Sequence, residues 1–254
     1  MFFTLKKSKI IISIVCVVIF VAVTACLRFS GAYAVFYSKP IKRLPIYSVN
    51  TAEKKIAISF DCAWGTDYTQ ELLDIMQEKG IKCTFFAVEF WTNKHPEFVK
   101  KISDAGHEIG THSATHPHMN SLSKESIEKE LLTSKTAIEN IINKPVTLFR
   151  APFGEYNDKV IETAENAGLT TIQWSIDSLD WKDLSQEEIE NRVISRAKNG
   201  AIVLFHNQGK NTAKALPKII DTLTAKGYAF VPIGRLIYTE NYYINNNGEQ
   251  IKNS

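Results

Sequence analysis

Cysteine is scarce in this chain. There are four in 254 residues, and two of them, Cys16 and Cys26, lie inside one apolar run near the N-terminus. Cys62 and Cys83 remain for the rest, too few for a disulfide-stapled scaffold. Joining those two is not expected, because Cys62 falls at the end of one predicted strand and Cys83 at the start of the next. No glycine-rich dinucleotide or P-loop fingerprint follows any strand-like segment. Positive charge is also in short supply where it would matter. The formal net charge is +3, yet Lys6, Lys7, Lys9 and Arg28 sit in residues 1–34 with no acid, and the remaining 220 residues hold 26 basic and 27 acidic groups. A near-neutral body has no electrostatic footprint for nucleic acid, so no nucleic-acid partner is expected.

What is present is an ordinary globular composition, 44% hydrophobic and 22% charged, in a chain long enough for one sizeable core. Ile10 to Leu27 is an apolar run of 18 residues, about the minimum that spans a bilayer as a helix. The lysines before it put the N-terminus on the cytoplasmic side and the body outside. Three readings stay open: an uncleaved signal anchor, which is favoured; a cleaved signal peptide ending at Ala32-Tyr-Ala34; and a lipoprotein signal, since Val23-Thr-Ala-Cys26 resembles a lipobox. Residues 1–34 are therefore read as cytoplasmic flank and anchor or signal, 35–53 as a linker, 54–238 as the folded domain and 239–254 as a polar tail.

Within 54–238, strand-like and helix-like patterns alternate for about seven rounds. Strands are predicted at 56–60, 83–88, 107–110, 146–149, 170–174, 201–205 and 228–231. Helices are predicted at 68–79, 96–105, 123–140, 157–167, 185–198 and 212–225. Alternation of this kind implies an α/β fold whose parallel sheet carries helices on its faces, open and doubly wound or closed as a barrel. The missing dinucleotide fingerprint favours a distorted TIM-like (β/α) barrel of about seven parallel strands. In such a fold, chemistry gathers where strands end and loops begin. Asp61, His112, Arg150, Asp177 and His206 each follow the last apolar residue of a predicted strand. They are expected to meet at one rim.

His112 and His116 are four apart, a spacing that lets two neutral imidazoles in a helical turn grip one borderline metal ion. Trp64 and Trp91 are candidates to stack on a ring-shaped ligand. His95, His107 and His118 receive no role.

The stretches Ser59-Phe-Asp-Cys-Ala-Trp64, His112-Ser-Ala-Thr-His116, Arg150-Ala-Pro-Phe-Gly154, Asp177-Ser-Leu-Asp-Trp181 and Leu204-Phe-His206 resemble, in order and content, the five motifs of carbohydrate esterase family 4. These are the polysaccharide deacetylases with the nodulation-factor deacetylase homology domain. The resemblance covers roughly residues 54–236. It is nearest to the membrane-anchored deacetylase-like proteins of sporulating bacteria. It implies hydrolytic removal of acetyl groups from an envelope glycan, most plausibly peptidoglycan amino sugars, with a divalent metal, usually zinc and alternatively cobalt. By match to the motifs, Asp61 is the general base and Arg150 the residue that holds it. His206 is the general acid, oriented by Asp180 with Asp177 as fallback. His112 and His116 are metal ligands. The Phe153 N–H contributes to the oxyanion hole, and Trp181 and Leu204 wall the acetyl pocket. One departure stands out: the family's second aspartate, a metal ligand, is here Cys62. Cys62 could itself be a ligand, the two histidines could hold a metal more weakly with Asp61 or water, or no metal binds and the cleft is catalytically silent.

Overall fold

The structure, a computed structural model, describes residues 7–29 and 43–253. They form two units, divided between Lys42 and Arg43.

In the first unit, helix α1 spans Lys7–Phe29. The side chains described, 11–26, are nearly all exposed, among them Phe20 and Val17. No helix among the described residues is long and apolar enough to cross a membrane. The expected span, 10–27, runs past the described side chains at both ends, and the Ala32-Tyr-Ala34 site lies outside the described residues.

The second unit is a curled half-barrel of mainly parallel strands with helices packed outside it. In chain order the strands are β1 (Ser48–Val49), β2 (Lys55–Cys62), β3 (Thr84–Ala87), β4 (Glu108–Thr111), β5 (Leu148–Phe149), β6 (Thr170–Thr171), β7 (Ile176–Asp177), β8 (Ala201–His206), β9 (Ala229–Phe230), β10 (Tyr242–Ile244) and β11 (Glu249–Lys252). The helices are α2 (Thr69–Glu78), α3 (Glu89–Lys94), α4 (Pro96–Asp104), α5 (Lys124–Ile142), α6 (Asp158–Asn166), α7 (Gln186–Arg196), α8 (Thr212–Ala225) and α9 (Ile233–Leu236). The central order is β8-β2-β3-β4-β5-β6, all parallel. An isolated bridge between Ile46 and Ile172 ties the segment before β1 to the end of β6.

Two expectations change here. Residues 43–53, read from sequence as linker, belong to the sheet: β1 pairs antiparallel with β8 and parallel with β11, and Ile46 is buried. Residues 239–254, read as a loose tail, contain the β10–β11 hairpin, which adds to the same edge. Both segments are too short to display a period, so their pairing was not visible as a pattern. The strand count accordingly exceeds seven, and the added strands include antiparallel ones.

Alternation along the strands explains the core. On β2, Ile56, Ile58, Phe60 and Cys62 join the large cluster that packs under the helices, while Ala57, Ser59 and Asp61 take the opposite face. Phe60 stacks between Phe85 and Phe205 on the flanking strands. Helix ends follow ordinary capping: the Ser123 side chain accepts from the Ser126 N–H, and Ser185 with Glu188 makes a capping box. Cys62 and Cys83 are both free, buried thiols.

Candidate active site

The strand C-termini open into a cleft of about 600 Å³. Its lining includes Asp61, His112, His116, Phe153, Asp180, Trp181, Leu204 and His206. Residues far apart in sequence therefore share one rim.

Asp61, the last inward residue of β2, accepts a 2.8 Å hydrogen bond from Arg150 Nη1. Arg150 is wholly buried, and its Nη2 donates to Ser59 Oγ at 2.9 Å and to the Gln173 carbonyl at 3.2 Å. Its guanidinium also lies over the Phe86 ring, 4.1 Å from the centroid. Phe86 has room because Gly110 lies opposite it, where a Cβ would come within 2.6 Å of the ring. Burial works against an ionised Asp61, but Arg150, then His112 and His206, outweigh it and hold the carboxyl below its ordinary value.

His112 follows β4. Its Nδ1 lies 2.7 Å from the Arg150 carbonyl, which accepts only, so Nδ1 carries the proton and Nε2 keeps its lone pair. That Nε2 is 3.5 Å from Asp61 Oδ2. The His116 ring is 5.0 Å from that of His112 and is packed edge-on by Trp64 and Phe153. Burial lowers both histidines, and for His116 the neighbouring His112 adds to burial to bring it to about 4. Both are neutral imidazoles at neutral pH.

His206 ends β8. Its Nδ1 is 2.8 Å from Asp180 Oδ1, and its backbone N–H donates to Oδ2 at 2.8 Å. Thr212 Oγ1 donates to the same Oδ2 at 2.6 Å. Burial pulls His206 down, but the Asp180 hydrogen bond and charge pull harder and leave it above its ordinary value. The partner of His206 is thus Asp180. Asp177 instead accepts from the Leu179 N–H.

The Pro152–Gly154 3₁₀ turn presents Phe153 at φ 58°, followed by Gly154 at φ 69°. A Cβ at Gly154 would sit 2.9 Å from the Trp174 ring, so this turn needs glycine. The Phe153 N–H lies in the first turn of that short helix, where N–H groups have no intrahelical partner. Trp181 is exposed and Leu204 buried at the cleft wall.

Two sequence candidates are placed elsewhere. Cys62 does not line the cleft. One register beyond Asp61, it turns to the helix side, is fully buried, and has its thiol pushed well up by burial. Trp91 is a core residue whose Nε1 donates to the Gly65 carbonyl at 2.7 Å, so it cannot stack on a ligand. Trp64 does line the cleft and is exposed. His118, left without a role, stacks on Phe153 and meets Glu155 at 3.0 Å.

A zinc site built by the protein takes three or more side-chain donors. Among the described residues no group of three or more His, Cys, Asp or Glu converges in that way. His112 and His116 supply two imidazoles, Asp61 Oδ2 lies 3.5 Å from His112 Nε2 but Asp61 is engaged by Arg150, and Cys62, in the core, supplies nothing. The residues present therefore do not make a complete metal site.

An α/β half-barrel whose strand ends carry a buried Arg–Asp pair, a His–Asp pair and two neutral histidines around one cleft defines a narrow class of protein. The chain belongs to the polysaccharide deacetylase family: the family model described as polysaccharide deacetylase matches residues 48–172. It is 38% identical over 196 residues to a peptidoglycan-N-acetylglucosamine deacetylase of Bacillus cereus, covering 75% of this chain and 92% of that protein. It is 32% identical over 196 residues to the peptidoglycan-N-acetylmuramic acid deacetylase PdaA of Bacillus subtilis, covering 76% and 74%. Among solved structures, wild-type BA3943, a CE4 family pseudoenzyme from Bacillus anthracis, superposes with a TM-score of 0.74 at 34% identity, covering 76% of this chain and 68% of that one. A BA3943 mutant described as having restored enzymatic activity superposes equally well, at 35% identity over 76% and 70%.

Proposed function

We propose that this protein removes acetyl groups from peptidoglycan by hydrolysis, acting on the amide of an acetylated amino sugar. The observation that carries the reading is the pairing of two opposite proton carriers in one cleft: Asp61, whose ionised form Arg150 favours, and His206, whose charged form Asp180 favours. Asp61 takes a proton from water as its oxygen adds to the acetyl carbonyl. The Phe153 N–H faces the developing oxyanion. His206 gives its proton to the sugar nitrogen as the C–N bond breaks, which releases acetate and the free amine. Trp181 and Leu204 enclose the acetyl methyl. The motif resemblance implies a divalent metal, zinc or cobalt, which would polarise the carbonyl; here the two imidazoles alone do not complete its shell, and no step is assigned to it.

The similarity to deacetylases of both peptidoglycan sugars supports the glycan class without choosing the sugar. The same reading places the domain outside a membrane, held by the apolar run 10–27, in keeping with the membrane-anchored, sporulation-associated branch. Protease protection of the body in intact cells tests that placement.

A second reading is favoured by one observation, the turning of Cys62 into the core. In it the cleft binds glycan without turnover, as an envelope pseudoenzyme. Acetate release from peptidoglycan or chitin oligomers, measured with and without added Zn²⁺ or Co²⁺, separates the two. Release that disappears in Asp61→Asn supports the hydrolase. A folded protein that binds glycan and releases no acetate supports the pseudoenzyme.

A further inference from the structure

We propose that Glu130 is a positioning residue for the histidine turn: from α5 it clamps the backbone between His112 and His116 and sets the attitude of the second imidazole. The inference rests on the hydrolase reading of the cleft and extends it to a residue outside that cleft. Glu130 lines no part of the cleft. Its Oε2 accepts the Ala114 N–H at 2.9 Å and the Thr115 N–H at 2.8 Å, and its Oε1 accepts the Thr115 hydroxyl at 2.8 Å. An ionised carboxylate can take all three, because it is acceptor-only with several lone-pair sites.

The clamped turn is strained. Ser113 (φ 74°) and His116 (φ 57°) both occupy the left-handed region, which costs a non-glycine residue roughly 1 kcal/mol or more and persists only where surroundings over-determine it. Ser113 Oγ accepts the His116 N–H at 3.1 Å and closes the turn from within, but does not fasten it to the body. Glu130 does. One helical turn along α5, Ser134 Oγ accepts from Thr111 Oγ1 at 2.7 Å. Residues 130 and 134 share a face at four-residue spacing, so α5 holds the Thr111 side chain before His112 and the Ala114–Thr115 backbone after it. His112 has a further hold through the Arg150 carbonyl. Among the described residues the His116 ring has no such bond and packs against the edges of Trp64 and Phe153, so loss of Glu130 acts mainly on His116.

The test compares Glu130→Ala and Glu130→Gln in the full-length chain by imidazole nitrogen resonances and by kinetics of acetate release. Glu130→Ala is expected to move the His116 resonances while His112 keeps its tautomer. It is also expected to lower kcat about tenfold or more with KM within about threefold, because the His116 ring packs on Phe153, whose N–H serves the oxyanion, and small misplacements there cost that much. Glu130→Gln, which keeps one carbonyl oxygen for the two N–H groups, recovers most of both. Unmoved His116 resonances in Glu130→Ala, or equal impairment of the two variants, overturn the proposal. If Glu130→Ala does not fold, Thr115→Val removes the hydroxyl bond alone and must shift His116 in the same direction; no shift overturns it. Should the wild type release no acetate, the hydrolase reading fails, while the His116 resonances still decide the role of Glu130.

Discussion

Asp61 and His206 are register partners on the adjacent parallel strands β2 and β8, and each is bonded to a different buried group. Neighbouring strand ends thus hold a carboxylate shifted toward its ionised form and an imidazole shifted toward its charged form. The separation of their titration comes from Arg150 on one side and Asp180 on the other.

Removing Arg150 leaves the Asp61 carboxylate buried without its partner. Arg150→Met is expected to lower stability by about 3–5 kcal/mol, the usual consequence of breaking a buried pair from one side. Denaturant unfolding at neutral pH checks this. A loss below about 1 kcal/mol would mean that water reaches Asp61 and that the pair is not dry.

The pH dependence follows from the two shifts. Asp61 is lowered in the fold, so its stabilisation is present above the ordinary carboxylate value and disappears as pH falls through the folded one. His206 is raised, so its stabilisation is complete below the ordinary histidine value of 6.5 and disappears as pH rises through the folded one. Acetate release should fall on that same basic limb, where His206 loses its proton. Asp180→Asn removes the charge that raises His206, and the basic limb of the kcat/KM profile is expected to move to lower pH. An unmoved limb would take the acid role away from His206.

Metal content tests the incomplete donor set. After dialysis against metal-free buffer, elemental analysis is expected to find well below one zinc per chain, and His112→Ala to reduce metal uptake on titration. Cys62→Ala is expected to leave uptake unchanged, because its sulfur belongs to the helix-side core. Loss of uptake in Cys62→Ala would return that thiol to the list of ligands.

Gly110 lies two residues before His112 and acts on the site through Phe86. In Gly110→Ala the new Cβ meets the Phe86 ring at 2.6 Å and the Leu148 carbonyl at 3.0 Å. Overpacking of this kind costs about 1–3 kcal/mol. Because Phe86 supports the Arg150 guanidinium, the variant is also expected to lower acetate release more than a surface glycine change such as Gly80→Ala. Equal effects would disconnect Phe86 from the site.

Much of this arrangement could be read in the chain. Asp61, His112, Arg150 and His206 each follow an apolar strand, and that register alone sends them to one rim. The strand period also carried a warning about Cys62: adjacent residues in one strand face opposite sides, so Asp61 and Cys62 cannot both enter the cleft while β2 stays regular. The preference for Asp180 over Asp177 comes from the motif resemblance and not from periodicity: Asp177 ends β7, and the 3₁₀ turn at Asp180–Lys182 places Asp180 against His206. Glu130 gave no signal either. It is one charged residue in a long amphipathic helix, and its partners are backbone N–H groups, which no sequence pattern displays. The place of Trp91 in the core was not legible for a similar reason: its indole meets a carbonyl, that of Gly65.

The pairing of Ser48 with Ala201 and of β1 with β11 bears on where the folded domain can be cut. A recombinant fragment begun at residue 54 would remove the partner of β8 at Ala201, and trimming after 238 would take away the hairpin that covers β1. Either truncation bares unpaired peptide groups beside the strand that bears His206, the kind of border that recruits other chains. Soluble preparations therefore need both extremities of 43–253, and inactivity in a shorter piece would say nothing about the chemistry.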